Sequence, residues 1–275
     1  MMRPGLNLWL CLAAFPLLNA CEKEPEPQPE APVEIPDPNF LQALIELGVD
    51  TDGDSLISSS EAEAVWELQL WEKDISDMTG IEAFVHLETL GCGLNQLTVL
   101  DLSENTKLED LNCSGNQLAT LDISACTSLE FLSCSDNQLT DLDISNNGLV
   151  HTLYCAGNQL PSLDVSANTA LEILHVEDNQ LTAMDLTHNP TLAELYLSGN
   201  LLSSLDVSAN TVLTVLDCSD NQLTSLDVSA NTNLYDLYLK KMPTLYEVCV
   251  WKFPVPFYAY TFGSPNVTFT TECSK

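Results

Sequence analysis

Six residues within one twelve-residue stretch could bind a hard metal ion. In DTDGDSLISSSE, residues 50–61, the carboxylates of Asp50, Asp52 and Asp54 alternate with uncharged residues. Leu56 can add its backbone carbonyl, Ser58 a hydroxyl or a bridging water, and Glu61 a bidentate carboxylate. Such a set of oxygens suits calcium, which takes about 6–8 hard ligands in flexible geometry. The loop must turn sharply at Ser55, where a left-handed backbone costs a non-glycine residue about 1–2 kcal/mol. The same residues can also be read as a metal-free, aspartate-rich turn between two helical segments.

The order of these groups resembles the EF-hand calcium loop, with oxygens at its positions 1, 3, 5, 7, 9 and 12 and apolar Ile57 at position 8. Ser55 departs from the glycine of that pattern, and only one such loop is present where EF-hands usually pair. The resemblance implies a structural calcium of modest affinity. The flanking segments PNFLQALIELGV (residues 38–49) and SEAEAVWELQL (residues 60–70) have helical periodicity, so a short helical cap is expected around the loop.

Two further sets of residues recur at fixed spacing. Asp101, Asp122, Asp143, Asp164, Asp185, Asp206 and Asp227 follow one another every 21 residues, each between two apolar neighbours. On rungs roughly 4.8 Å apart such carboxylates repel. Solvent, nearby hydroxyls or backbone amides could relieve that repulsion, or the column could collect cations. The second set changes from rung to rung: Gly91, Asn112, Ser133, Tyr154, His175, Tyr196, Asp217, Tyr238. Tyrosine offers a broad apolar body with a polar tip, which suits protein or sugar ligands. Tyr154, His175, Tyr196, Asp217 and Tyr238 are therefore the candidate ligand-binding residues, against the alternative of unconstrained solvent positions. No nucleophile, base and orienting group stand together, so catalysis is not expected.

The elements that position these columns follow from the period. Asn95, Asn116, Asn137, Asn158, Asn179, Asn200 and Asn221 are each 21 residues apart. Leu108-x-x-Leu111-x-Cys113-x-x-Asn116-x-Leu118 fits the leucine-rich repeat pattern. A second set, Asn105, Asn147, Asn168, Asn189, Asn210 and Asn231, with Cys126 in one slot, divides every unit in two. The fold class expected is mainly β: a leucine-rich repeat solenoid of 21-residue units with two parallel strand faces, a helical N-terminal cap and a β-rich C-terminal cap. One unit buries too little apolar surface to offset its own ordering, so neighbours must stack. Corner asparagines are expected to hydrogen-bond the backbone of their own and adjacent turns. Cys92, Cys113, Cys134, Cys155 and Cys218 share a register with Val176 and Leu197, which marks an apolar interior slot. Cys249 and Cys273 lie outside that register, paired or free.

The N-terminus reads as a leader. Arg3 precedes the apolar run LNLWLCLAAFPLL (residues 6–18), and LNAC ending at Cys21 resembles the lipobox of bacterial lipoproteins. The resemblance implies lipid on Cys21. The acidic, proline-rich stretch that follows is expected to be an extended tether. The expected segments are therefore 1–20 (signal peptide), 21–37 (tether), 38–64 (helical cap), 65–239 (repeats) and 240–275 (C-terminal cap). A formal net charge of −32, from 40 acidic and 8 basic residues, argues against nucleic acid and anionic membrane surfaces as partners.

Taken together, the chain resembles bacterial, Bacteroidota-type surface lipoproteins with leucine-rich repeats behind an EF-hand-like segment, and distantly the internalins. The resemblance covers Pro38 to Lys275 together with the leader. It implies an outer-membrane lipoprotein, exposed at the surface and monomeric, that meets the membrane only through its lipid anchor. Its function would be non-catalytic binding of a protein or glycan through the variable face. The alternative is a calcium-stabilised structural component of the envelope or matrix.

Overall fold

The computed structural model describes residues 31–273. Cys21, the leader and most of the tether lie outside them. The described chain opens with two short helices, α1 (Pro38–Glu46) and α2 (Ser59–Glu63). Asp37 caps α1 by accepting hydrogen bonds from the amides of Asn39 and Phe40, and Pro38 fits the first turn, where no amide is needed. Ser58 and Glu61 form a reciprocal capping box on α2.

The second helix is shorter than its sequence suggests. It stops at Glu63, and Glu67–Gln69 is already the first strand, β1. Leu68 and Leu70 alternate inward with period two, and burying them on the solenoid outweighs the helical pattern.

Strands of three residues each then follow: β2 (Thr89–Gly91), β3 (Asp110–Asn112), β4 (Phe131–Ser133), β5 (Thr152–Tyr154), β6 (Ile173–His175), β7 (Glu194–Tyr196) and β8 (Val215–Asp217). The last are β9 (Ser225–Asp227), β10 (Asp236–Tyr238), β11 (Glu247–Cys249), β12 (Tyr258–Tyr260) and β13 (Thr268–Thr270). Strands β1 to β8, β10 and β12 form one ten-stranded sheet, and β9, β11 and β13 a second sheet of three. Every pairing between these strands is parallel.

The result is a mainly β parallel solenoid of about 21-residue turns. Its two faces are unequal. One carries the long sheet, whereas the other becomes a hydrogen-bonded sheet only at the C-terminal end. Elsewhere that second side is tied by backbone bonds such as Gln117 N to Leu97 O and Gln138 N to Leu118 O, and by asparagine amides. The turns are thus joined without a continuous ladder.

The C-terminal segment continues the coil. Leu237 pairs with Ala259 and Leu226 with Val248, in each case at a step of 22 rather than 21. One residue inserted between β10 and β11 accounts for both steps, and the next pairing, Val248 with Phe269, returns to 21. Cys249 and Cys273 form a disulfide, with Cα atoms 5.4 Å apart, that joins the chain end to β11. At the other end, Val33 and Ile35 pack against the core and Val33 N donates to Ile57 O. The folded unit therefore begins at Ala31, before the expected tether boundary at 37.

The corners are built by asparagine. Asn116 Oδ1 accepts from Leu97 N, and its Nδ2 donates to Cys92 O of the preceding turn and Cys113 O of its own. Asn137 through Asn221 repeat this arrangement. At the other corner, Asn147 Nδ2 donates to Ile123 O and Cys126 O, while its Oδ1 is buried without a donor. The Cys126 thiol takes the asparagine's place there, pointing at Leu102 O and Asn105 O.

After each strand of the long sheet the chain passes through one left-handed residue. Leu94, Gly115, Asp136, Gly157, Asp178, Gly199, Asp220 and Lys241 all have φ between 51° and 69°. Glycine alternates with a larger residue for a steric reason. A Cβ on Gly157 would collide with Asp136 Oδ1, and one on Gly199 with Asp178 Oδ1. Each aspartate leans over the glycine of the next turn. Where that glycine is replaced by Lys241, the ammonium pairs with Asp220 at 3.3 Å.

Candidate functional site

The long sheet brings the variable column into line. Register pairs Tyr154 with His175, His175 with Tyr196, and Tyr196 with Asp217. Their rings form a contacting row from turn to turn, with Tyr154 tilted by 33° against His175 at 4.6 Å and His175 stacked on Tyr196 at 4.1 Å. Phe131 extends the row from the neighbouring outward slot, 5.7 Å from Tyr154. Beyond Asp217 a second stack begins, in which Tyr238 and Tyr260 lie 4.4 Å apart and nearly parallel, with Lys240 Nζ 4.9 Å from the Tyr238 ring. Four of the five candidate ligand residues therefore stand in ring stacks, and Asp217 separates the two.

The local chemistry fixes this row. Glu177 Oε1 lies 2.9 Å from His175 Nδ1 and orients the imidazole. Burial, the nearby Glu194 carboxylate and its bond to the hydroxyl push the Tyr196 phenol up to about 12, so it stays protonated at neutral pH.

Phe131, Glu177, Lys240, Tyr260 and Trp71 were not candidates on sequence grounds. Strand alternation could have found most of them, because residues two before and two after each chosen slot face the same way. Trp71 also explains the small residues at the start of the column: its indole occupies the space where Gly91 and Gly93 would carry Cβ atoms.

In the acidic loop, one oxygen from each of Asp50, Asp52 and Asp54 lies within 4.8 Å of the others. Ser55 adopts φ 66°, the left-handed turn that the spacing required. Asp50 accepts from the amides of Gly53 and Ser55, and Asp54 from that of Leu56. Glu61 instead accepts from Thr51 and Ser58, backbone and hydroxyl alike, and these bonds, led by the Ser58 amide, hold its carboxyl down at about 2. Three of the six candidate ligands converge, and Ser58 and Glu61 bond to each other at the start of α2. A hard divalent cation fits the three carboxylates.

Each aspartate of the other side accepts, through Oδ1, the amide two residues ahead, as in Asp101 to Ser103, Asp143 to Ser145 and Asp227 to Ser229. Asp122 and Asp185 also take the hydroxyl of Ser124 and Thr187. These bonds hold Asp101, Asp122, Asp143, Asp164, Asp185 and Asp206 below the usual carboxylate range. The amides at the turns thus offset part of the repulsion along the column. The interior thiols are inert: burial pushes Cys113 up to about 12, and Cys92 and Cys134 are raised as well.

The repeat, the parallel sheet and the asparagine corners build a leucine-rich repeat fold. The family model for leucine-rich repeats in two copies matches residues 106–147. Among solved structures, the neighbours make the fold internalin-like. The functional domain of InlJ from Listeria monocytogenes, described as including a cysteine ladder, is 31% identical with a TM-score of 0.51, over 78% of this chain and 57% of that one. Internalin C2 from Listeria monocytogenes is 24% identical with a TM-score of 0.68, over 74% of this chain and 93% of that one. A leucine-rich repeat protein from Leptospira interrogans is 21% identical with a TM-score of 0.65, over 76% of this chain and 57% of that one. These last two likenesses bear on the fold alone. No curated protein matches the sequence. The chain spans a little over half the length of the InlJ domain it matches.

Proposed function

We propose that this protein is a surface-anchored binding module that recognises a partner protein through the aromatic row of the long sheet. The observation that carries this reading is the unbroken row of ring contacts Phe131–Tyr154–His175–Tyr196 along one sheet face. Stacked rings lose little conformational freedom on binding, and their polar tips suit an interface centre. The anchor rests on the lipobox-like LNAC at Cys21, which would place the protein in the outer membrane, facing outward. Capture from envelope or host-cell extracts tests the reading. Replacing Tyr154, His175 and Tyr196 together by serine is expected to weaken capture about a hundredfold or more with an unchanged melting temperature. Undiminished capture rejects the face as the binding surface.

Calcium in the acidic loop would stiffen the cap that closes the solenoid. The three converging carboxylates and the left-handed Ser55 support this. Calorimetry should detect one calcium per chain with a dissociation constant of about 0.1–1 mM, abolished when Asp50, Asp52 and Asp54 are changed to asparagine. No heat at about 1 mM calcium sinks the assignment. Residual binding in the asparagine variant would point instead to the column Asp101–Asp227, whose uniformity is the one observation favouring a structural envelope role.

A further inference from the structure

At the N-terminal end of the same face lies a pocket unlike the ring stack. It has a volume of about 280 Å³, and Trp71, Gly91, Asp110, Asn112 and Phe131 are among the residues that line it. The indole lies flat. Nε1 and Cε2 are the ring atoms nearest a Cβ built on Gly91, whereas Cζ3, Cε3 and Cη2 are nearest one built on Gly93. Those atoms come from both rings and from opposite edges, so one face of Trp71 rests on the two glycines. The side chain nevertheless remains 37% exposed. Gln69 Oε1 accepts from the indole Nε1 at 2.7 Å and holds the ring in place.

We infer that the exposed face of Trp71 is the platform of a sugar-binding site for a neutral hexopyranose, with Asp110 and Asn112 reading its hydroxyls. The electron-rich face of an indole attracts the weakly positive C–H groups on one side of a pyranose ring. A sugar also needs planar polar groups beside the platform to fix its orientation. Asp110 supplies a carboxylate without a side-chain partner. Asn112 spends its Oδ1 on the Ser114 amide and hydroxyl, which leaves Nδ2 to donate. Acceptor and donor thus stand two residues apart on β3, on the rung next to Gly91. The pocket admits a single ring, and the surrounding negative charge disfavours uronic and sialic acids.

The site extends the reading of this face as a recognition surface and shares only Phe131 with the ring row; Trp71, Asp110 and Asn112 belong to it alone, so the two can fail separately. The full chain, labelled with ¹⁵N in tryptophan, is titrated with methyl β-glucopyranoside, methyl β-galactopyranoside and sodium glucuronate. The Trp71 indole signal is assigned by its loss in Trp71→Phe. At least one neutral glycoside is expected to shift it in the millimolar range, and glucuronate is not. Gly93→Ala is the sharper variant. The backbone at Gly93 is not left-handed, and the nearest atoms the new methyl meets are those of the indole, which it displaces. It is expected to weaken sugar binding about tenfold or more while the protein stays folded by circular dichroism. The Tyr154/His175/Tyr196 serine variant is expected to keep the shift. No shift with either neutral glycoside up to about 100 mM, wild-type binding in Gly93→Ala, or loss of the shift in the tyrosine–histidine variant each overturns the site. Partner capture without any sugar shift overturns the site and leaves the ring-stack function standing.

Discussion

Replacing Asn158 by leucine is expected to destabilise the solenoid by about 3–5 kcal/mol, close to the loss of a large core side chain. The reason is the number of backbone groups served by one amide. Asn158 Oδ1 accepts from Leu139 N, and Nδ2 donates to Cys134 O, Cys155 O and Ala156 O. Leucine has nearly the same shape and fills the corner, so the cost measures orphaned donors and acceptors rather than a void. Each buried group left unpaired costs about 1–3 kcal/mol. Asn168 gives the internal control. It serves only Ile144 O and Asn147 O, and its own Oδ1 already lacks a donor. Asn168→Leu is therefore expected to cost less, about 1–2 kcal/mol. Urea unfolding of both variants checks the order, and equal losses would remove the hydrogen-bond explanation.

Asp37→Ala is expected to cost about 2–4 kcal/mol and to loosen the N-terminal cap. Asp37 is 6% exposed. Its Oδ1 caps α1, while Oδ2 accepts from Ser76 N, Ser76 Oγ and Asp77 N, so one carboxylate joins the first helix to the first turn of the coil. Burial alone would raise its pKa, but the bonds from Ser76, Phe40 and Asn39 outweigh that and hold it below the ordinary 3.8. A depressed carboxyl stabilises the fold fully above its unfolded value and loses that contribution as pH falls through its folded value. The gap between wild type and Asp37→Ala should thus be constant at neutral pH and narrow only below about pH 3.8. Thermal melts across that range test it, and a gap independent of pH down to about 2 contradicts the role given to the charge.

The repeat made most of the architecture legible. The asparagine step of 21 marks the corners, and exchange of Cys155 with Val176 and Leu197 marks the interior, because both follow from local chemistry repeated on every turn. Legibility failed where the local pattern allowed two periods. Val65, Leu68 and Leu70 satisfy a helix as well as a strand, and only stacking on the next turn decides between them. The stretch Ala31–Asp37 has the proline and charge of a tether, yet Val33 and Ile35 alternate inward once Ile57 offers a backbone partner. At the site, the stacked tyrosines could be read from their column. The bed beneath Trp71 could not, because it requires knowing that an indole from one rung lies over two glycines of the next.

The alternation at the left-handed corner makes the solenoid a two-stroke object. Asp136 leans into the empty space of Gly157 and Asp178 into that of Gly199, and where no glycine follows, at Asp220, the next turn supplies Lys241, whose ammonium pairs with the carboxylate. Removing or duplicating one turn would set two aspartates, or two glycines, face to face. The smallest interchangeable part is accordingly a pair of turns. Lengthening or shortening the protein in such pairs would leave both caps and every corner undisturbed, and would change the length of the long sheet in fixed increments.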